Sequence, residues 1–154
     1  MSSTTRSSIV VDASLFLAVI LPSPYRHQAQ NLWRTWLVEQ RNLYAPHLWV
    51  AEVTSGLRQG VWNKLLTREE ADRALEHIQV LPITFVSDLT LASGALSWAE
   101  TLGQKRAYDA FYVALAERLK AELWSADRRQ VNRIRQQGET WAYWIGETGK
   151  ESDT

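Results

Sequence analysis

The chain has 154 residues, 45% of them hydrophobic, which is enough to bury the core of one ordinary domain and argues against disorder. It contains no cysteine, so disulfides, thiolate catalysis and cysteine-based zinc sites are excluded. Lys plus Arg and Asp plus Glu both number 17, so no overall basic field indicates a nucleic-acid partner, and any basic surface must be local.

The N-terminal segment predicts a polar tail followed by a buried strand. Residues 1–8 are polar, and we expect them to form a flexible tail. Residues 9–11 are an apolar run that ends at Asp12, as expected for a buried parallel strand. The apolar stretch to Leu21 is too short to span a bilayer, and no small-residue cleavage site of a signal peptide follows it. We therefore expect a cytoplasmic protein with no membrane segment.

Strand-like and helical segments alternate along the rest of the chain. Further strands are predicted at residues 43–45, 83–86, 122–124 and 140–145, and helices at residues 14–21, 27–40, 47–60, 88–103, 107–120 and 127–138. Thr67 opens another helix, with Glu70 three residues later in the pattern of a capping box. The alternation predicts an α/β fold with a mostly parallel sheet of four to five strands. We expect one domain over residues 9–145 and a polar tail over residues 146–154.

Four carboxylates that are distant in sequence are expected at one edge of this sheet. Asp12 ends the first strand and Asp127 lies just beyond the fourth, where open α/β sheets collect their ligands. Asp109 lies in the first turn of a predicted helix, and Glu52 lies on the helix after the second strand. Gathered carboxylates repel one another unless a cation is bound or a proton is shared. Oxygen ligands without nearby Cys or His suit Mg²⁺ or Mn²⁺, and such a site would serve phosphoryl chemistry.

Each of these acids also has a structural explanation. Asp109 could be favoured by the helix dipole, Asp127 could be a helix N-cap, and Glu52 could be a solvated helix residue. Asp12 is the hardest to explain in this way, because a carboxylate inside an apolar run needs a partner. The pattern alone leaves both interpretations open.

Four segments of the chain resemble the motifs of PIN-domain ribonucleases. Residues 10–14 (VVDAS) resemble the first motif, and residues 46–57 resemble the second. Residues 107–117 (AYDAFYVALAE) and 123–129 (LWSADRR) resemble the third and fourth. Chain length and motif order are similar to those of the VapC toxins. The resemblance implies a PIN-like three-layer α/β/α fold and a metal-dependent endoribonuclease, the toxin of a type II toxin–antitoxin pair.

The resemblance also implies an active site of four acids, which correspond here to Asp12, Glu52, Asp109 and Asp127. Asp12 and Asp109 would be the main metal ligands, and Asp127 would complete the metal site. Glu52 would orient a second ion or the attacking water. The implied reaction hydrolyses an RNA phosphodiester and leaves a 5′-phosphate and a 3′-hydroxyl.

Further residues follow from the same resemblance. Ser14 and Ser125 match hydroxyl positions that orient the carboxylates. Many relatives carry another acid one turn after the fourth motif, where this chain has Gln130 and Val131, so the number of metal ions stays open. The implied cofactor is Mg²⁺ or Mn²⁺. The implied partners are RNA, a cognate antitoxin that covers the site, and a second copy in a homodimer, although a stand-alone PIN nuclease would show the same motifs.

Basic residues beside the motifs are candidates for RNA binding. They are Lys105 and Arg106 before the third motif, and Arg128 and Arg129 after the fourth. Arg133 and Arg135 fit an ordinary solvated helix face equally well. For any one of the eight tryptophans, core packing is the better interpretation. Trp49, one turn before Glu52, is nevertheless expected to wall the active site.

Two other classes of function fit part of the pattern. A haloacid-dehalogenase-like phosphatase also has an Asp after its first strand, but it needs a second Asp two residues later, where Ser14 stands here. A non-catalytic α/β binding module would require the four carboxylates to be scattered. A response-regulator receiver is a weaker form of that idea, because the paired acids after the first strand are lacking.

Overall fold

The computed structural model describes residues 8–147, and all structural statements below refer to that part of the chain. Its five strands are β1 (Ser8–Val11), β2 (Asn42–Pro46), β3 (Ile83–Val86), β4 (Glu122–Ser125) and β5 (Ala142–Trp144). Its seven helices are α1 (Ala13–Ile20), α2 (Arg26–Val38), α3 (Leu48–Trp62), α4 (Arg68–Gln79), α5 (Asp88–Thr101), α6 (Tyr108–Leu119) and α7 (Arg128–Gln136). A short 3₁₀ helix, Ile145–Glu147, follows β5.

The strands form one parallel sheet in the order β3-β2-β1-β4-β5. The chain runs outward from β1 through β2 to β3, then returns to place β4 on the other side of β1. Because parallel crossovers are right-handed, this reversal puts α1–α4 on one face of the sheet and α5–α7 on the other. The predicted three-layer α/β/α architecture is therefore confirmed. The chain reverses its direction across the sheet between the neighbouring strands β1 and β4. This is the topological switch point, and open α/β sheets bind ligands beside it, at the carboxyl ends of the strands.

Strand β1 is the centre of the core, and Ile9, Val10 and Val11 are fully buried. Helix α6 packs across β1, β2 and β4, and α5 packs against α6. Helix α1 packs against α2 and α3. Phe16 on α1 contacts Trp33 and Trp49, with ring centroids 5.4 and 5.3 Å apart. This packing fixes the helices whose ends surround the switch point.

The predicted boundaries differ from the structure by a few residues. Ser8 already belongs to β1, because it pairs in register with Asn42, so the strand begins one residue before the predicted domain. The last strand is shorter than predicted, and Gly146 and Glu147 belong to the 3₁₀ helix. The rest of the two predicted tails, residues 1–7 and 148–154, lies outside the described residues.

The predicted capping box at the start of α4 is confirmed. The Glu70 N–H donates to Thr67 Oγ1 at 3.1 Å, and the Thr67 N–H donates to Glu70 Oε1 at 3.0 Å. In the described part of the chain, no helix has the length and apolar character needed to cross a membrane.

Candidate active site

An open cavity of about 330 Å³ lies at the carboxyl ends of β1 and β4 and contains all four predicted acids. It is lined by Asp12, Ala13, Ser14, Leu17, Glu52, Ser55, Gly56, Gln59, Asp109 and Asp127. The acids come from the β1–α1 junction, α3, the first turn of α6 and the β4–α7 junction. The fold thus brings together side chains as distant in sequence as Asp12 and Asp127.

Asp12 is only 8% exposed, and two hydrogen bonds fix its carboxylate. It is the N-cap of α1, and its Oδ1 accepts a hydrogen bond from the Ser14 N–H at 3.3 Å. Its Oδ2 accepts one from the Ser125 hydroxyl at 2.6 Å. Short hydrogen bonds to a carboxylate are charge-assisted and among the stronger ones in proteins. Asp12 is therefore held in a defined orientation at the floor of the cavity.

Ser125, fully buried at the end of β4, connects Asp12 to the β4–α7 turn. Its Oγ accepts a hydrogen bond from the Asp127 N–H at 2.9 Å and lies 3.2 Å from the Ser14 Oγ. The Ser14 Oγ in turn accepts one from the Ala126 N–H at 3.0 Å. The two hydroxyls predicted to orient the carboxylates thus form one network across the ends of two neighbouring strands.

Glu52 is half-buried on α3 and contacts Tyr112 on α6. The Tyr112 hydroxyl donates a hydrogen bond to Glu52 Oε1 at 2.5 Å, and Tyr112 itself is 1% exposed. Asp109 lies three residues before Tyr112, in the first turn of the same helix. Helix α6 therefore contributes one acid of the cavity and contacts another.

Asp127 is both a helix cap and a member of the cavity. Its Oδ1 accepts hydrogen bonds from the Arg129 N–H at 3.0 Å and the Gln130 N–H at 3.3 Å, which makes it the N-cap of α7. A carboxylate has about four acceptor positions, so these two bonds leave capacity for a ligand. The structural explanation of Asp127 is therefore correct, and it does not compete with the functional one.

Burial and mutual repulsion raise the pKa values of three of the acids. Burial raises the pKa of Asp12 to about 7, and the charges of Asp109 and Glu52 add to the rise. Burial also raises the pKa of Glu52, with a contribution from Asp109. The pKa of Asp109 is raised by burial and by the neighbouring Asp127. Ionised together, these groups would repel one another, and a bound cation would relieve that repulsion.

Residues 8–147 contain no group of three Asp, Glu, His or Cys side chains arranged to hold one metal ion together. The cavity offers carboxylate, hydroxyl and amide oxygens and has no imidazole or thiolate in its lining. This donor set suits a hard divalent ion. Mg²⁺ in particular is bound in proteins through one or two carboxylates, with water as its remaining ligands, so it does not need three carboxylates already in place.

Comparison with known proteins identifies the family of the chain. The family model of the PIN domain matches residues 9–135, a segment that includes all four acids. The chain belongs to the PIN-domain family. It is 36% identical over 121 residues to ribonuclease VapC9 of Mycobacterium tuberculosis and to VapC ribonuclease Mb0985 of Mycobacterium bovis, over 79% of this chain and 87% of each relative. Ribonuclease VapC3 of M. tuberculosis is 34% identical over 123 residues, 79% of this chain and 83% of the relative.

Solved structures show the same PIN fold. PAE2754 from Pyrobaculum aerophilum matches with a TM-score of 0.63 and 23% identity, over 82% of this chain and 78% of that one. FitAcB from Neisseria gonorrhoeae matches with a TM-score of 0.60 and 16% identity, over 90% and 98% of the two chains. VapC20 of M. tuberculosis, described as a toxin that cleaves the sarcin–ricin loop, matches with a TM-score of 0.58 and 14% identity, over 77% of this chain and 87% of that one.

The basic residues expected to bind RNA do not line the cavity of this PIN domain. All four are exposed: Lys105, Arg106, Arg128 and Arg129. They lie just before α6 and at the start of α7, close in sequence to Asp109 and Asp127. The guanidinium carbon of Arg128 lies 4.9 Å from the ring centroid of Trp144, a cation–π contact that orients this side chain.

Two residues outside the four acids also act on them. Arg133 on α7 opposes the rise in the pKa of Asp109, so its charge reaches the cavity. Arg135 on the same helix instead pairs with Glu147, at 2.6 Å from Nη1 to Oε1, which is a structural contact. The second residue is Tyr112, which sequence reasoning missed; its position three residues after Asp109 is the signal that could have identified it.

The expectation that Trp49 walls the active site is wrong. Trp49 is fully buried and packs against Phe16 and Phe85, with centroids 5.3 and 5.7 Å away. The reason is that a large apolar side chain gains more free energy in the core than beside charged groups. Of the tryptophans on α2 and α3, Trp62 is exposed.

Proposed function

We propose that this PIN domain is a metal-dependent endoribonuclease, the toxin of a type II toxin–antitoxin pair. The observation that carries the proposal is the open cavity in which four carboxylates from four elements meet at the switch point of the sheet. An open cavity at this position can receive the backbone of a polymer. Relatives that match most of the chain bear the name ribonuclease, which supports the same reaction class.

Mg²⁺ or Mn²⁺ is the proposed cofactor. Of Asp12, Asp109 and Asp127, one or two would ligate the ion directly and the others through bound water, and Glu52 would orient a second ion or the attacking water. The oxygen-only lining and the raised pKa values of three of the acids fit a divalent cation. When bound, such an ion would lower the pKa of a coordinated water and neutralise charge on the phosphodiester.

The side chains of the cavity then have distinct tasks in hydrolysis. Ser125 and Ser14 hold Asp12 and the turn before Asp127 in place, so the carboxylates need not reorganise during the reaction. Water attacks phosphorus, the bond from phosphorus to the 3′ oxygen breaks, and that oxygen takes a proton. The products are a 5′-phosphate and a 3′-hydroxyl.

The exposed basic residues beside the cavity are proposed to bind the RNA backbone. Lys105 and Arg106 precede α6, and Arg128 and Arg129 begin α7, so they flank the two helices that carry Asp109 and Asp127. Contacts of this kind position a nucleic acid without reading its sequence. We place the reaction in the cytoplasm, where RNA is available. A cognate antitoxin and a homodimer are proposed as the protein partners.

The experiment that tests the proposal is cleavage of total and transfer RNA by the purified protein, with Mn²⁺ or Mg²⁺ against EDTA. Asp109→Asn is the test variant, and Asp72→Asn is the matched control because Asp72 is exposed on α4 and pairs only with Arg68 among the described salt bridges. We expect metal-dependent cleavage that Asp109→Asn loses by at least about 100-fold and Asp72→Asn retains. If the wild-type protein neither cuts RNA nor binds Mn²⁺ in calorimetry, the proposal is wrong.

A further inference from the structure

We propose that Tyr112 is a positioning residue for the reaction. From inside the core it holds the Glu52 carboxylate in the orientation needed to orient a second ion or the attacking water. The proposal rests on the proposed function and extends it to a residue outside the four acids. Its basis is a single contact, in which the Tyr112 hydroxyl lies 2.5 Å from Glu52 Oε1.

The contact joins a rigid group to a mobile one. Tyr112 is 1% exposed, on the helix that packs across β1, β2 and β4, so its ring has one available position. Glu52 is only half-buried, at the edge of an open cavity, and its longer side chain has several rotamers. The hydrogen bond between them restricts the Glu52 carboxylate to an orientation set by the buried Tyr112 ring.

The bond also serves Tyr112, which makes it persistent. A buried tyrosine hydroxyl needs a hydrogen-bond partner, because an unpaired one loses its hydration without compensation. Glu52 is the side chain that accepts this hydroxyl in the structure. The preference of Tyr112 for a partner therefore opposes any rotation of Glu52 away from α6.

The Tyr112 hydroxyl is the donor in this contact, and Glu52 Oε1 accepts its hydrogen. The second oxygen of Glu52, Oε2, is left for a water or an ion in the cavity.

The position of Tyr112 on α6 gives this contact a second consequence. Asp109 and Tyr112 are three residues apart and lie on the same side of the helix. The register of α6 therefore sets the place of Asp109 directly and the place of Glu52 through Tyr112. One helix fixes two of the four acids, although Glu52 belongs to α3.

Tyr112→Phe tests this role, because it removes the hydroxyl and keeps the ring in the core. Tyr108→Phe is the matched control, since Tyr108 lies on the same helix and is 61% exposed. We expect Tyr112→Phe to lower the kcat of RNA cleavage by roughly 10-fold with little change in KM, as for loss of a hydrogen bond to a charged group. Mn²⁺ affinity in calorimetry should weaken several-fold, and Tyr108→Phe should match the wild type in both measurements.

A double-mutant cycle separates positioning from a general structural effect. In a Glu52→Ala background, Tyr112→Phe should change kcat and Mn²⁺ affinity by less than about twofold, because the residue through which it acts is gone. An equal effect of Tyr112→Phe with and without Glu52 would overturn the proposal. So would wild-type values for Tyr112→Phe, or its failure to melt cooperatively, which would assign the hydroxyl to stability of the fold.

The outcomes also distinguish this proposal from the proposed function. Wild-type protein that binds Mn²⁺ and cuts RNA, together with an unaffected Tyr112→Phe variant, would overturn the role of Tyr112 alone. Wild-type protein that neither binds Mn²⁺ nor cuts RNA would overturn the proposed function, and the role of Tyr112 with it. If Mn²⁺ binds and no RNA is cut, the calorimetric half of the cycle decides the role of Tyr112.

Discussion

The hydroxyl of Ser125 and the carboxylate of Asp12, 113 positions apart in the chain, are joined by a buried hydrogen bond of 2.6 Å. The bond crosses from the end of β4 to the end of β1, two strands that pair directly. It is the contact that holds the most buried acid of the site, and it opposes the rise in the pKa of Asp12.

Replacing Ser125 with alanine should destabilise the metal-free protein. Asp12 would lose its shortest hydrogen bond and the Asp127 N–H would lose its acceptor, at a cost of about 1–3 kcal/mol. Urea unfolding in EDTA measures this, with Ser97→Ala on the exposed side of α5 as the control. Equal unfolding free energies for the two variants would show that the hydroxyl contributes nothing to stability.

The stability of the metal-free protein should fall as pH rises. The pKa of Asp12 is about 7 in the folded protein against an ordinary 3.8, so between these values the folded state holds a proton that the unfolded chain has released. Raising the pH through this window therefore removes stability, by on the order of 4 kcal/mol at most from Asp12. The raised pKa values of Glu52 and Asp109 act in the same direction.

Urea unfolding in EDTA at pH 5 and pH 8 checks this dependence. Asp12→Asn should flatten it, because an amide does not titrate, and saturating Mn²⁺ should stabilise the wild type at pH 8 by binding only the folded state. A wild-type protein that is more stable at pH 8 than at pH 5 without metal would contradict the raised pKa of Asp12.

Gln104 and Gln130 form a partly buried amide pair between the loop before α6 and the first turn of α7. Gln104 Nε2 donates to Gln130 Oε1 at 2.5 Å, and Gln130 is 3% exposed. The Gln104 Oε1 and Gln130 Nε2 have no partner among the described residues. The pair thus links the loop before α6, the helix of Asp109, to the start of α7, the helix that Asp127 caps. One polar atom of each amide takes no part in this hydrogen bond.

Removal of one member of this pair should cost more than removal of both. Gln130→Ala leaves the amide of Gln104 buried without its acceptor and should lower the free energy of unfolding by about 1–3 kcal/mol. Gln104→Leu combined with Gln130→Leu should be closer to the wild type, since no amide is then left unpaired. Gln136→Ala, exposed on α7, is the control. A double variant less stable than Gln130→Ala would refute this account.

The exposed arginines at the start of α7 should weaken RNA binding when they are neutralised together. In the Asp109→Asn background, Arg128→Gln with Arg129→Gln should reduce affinity for single-stranded RNA roughly 10-fold at low salt and reduce the salt slope by about 1 to 1.5. Arg68→Gln with Arg73→Gln on α4 is the control of equal charge. Binding assays at several salt concentrations measure both quantities, and an unchanged slope would exclude backbone contacts by this pair.

Much of the fold follows from local patterns in the sequence. The apolar run before Asp12 predicts a buried parallel strand. The alternation of strand-like and helical segments predicts that helices connect the parallel strands. Strand ends in a parallel sheet share one edge, so the convergence of Asp12 and Asp127 follows from the fold class. These inferences hold because each depends on residues near one another in the chain or on a general rule of topology.

The contacts that complete the site depend on distant packing and could not be predicted. The bond from Tyr112 to Glu52 depends on the relative placement of α3 and α6, which lie on opposite faces of the sheet. The burial of Trp49 depends on how α3 packs against Phe16 and Phe85. Neither is set by the local period of α3. The pair of Gln104 and Gln130 likewise joins the loop before α6 to the first turn of α7, and only the folded chain determines the distance between them.

The strand order has a consequence for how the protein is made. Strand β1 emerges first from the ribosome, yet one of its edges waits for β4, whose residues 122–125 come more than a hundred positions later. Asp127 and the Ser125 hydroxyl arrive with β4, so no nascent or prematurely terminated chain that lacks them can assemble the site. For a proposed toxin this means that a nascent chain cannot cleave RNA before β4 and the turn after it have been translated, because they carry Ser125 and Asp127.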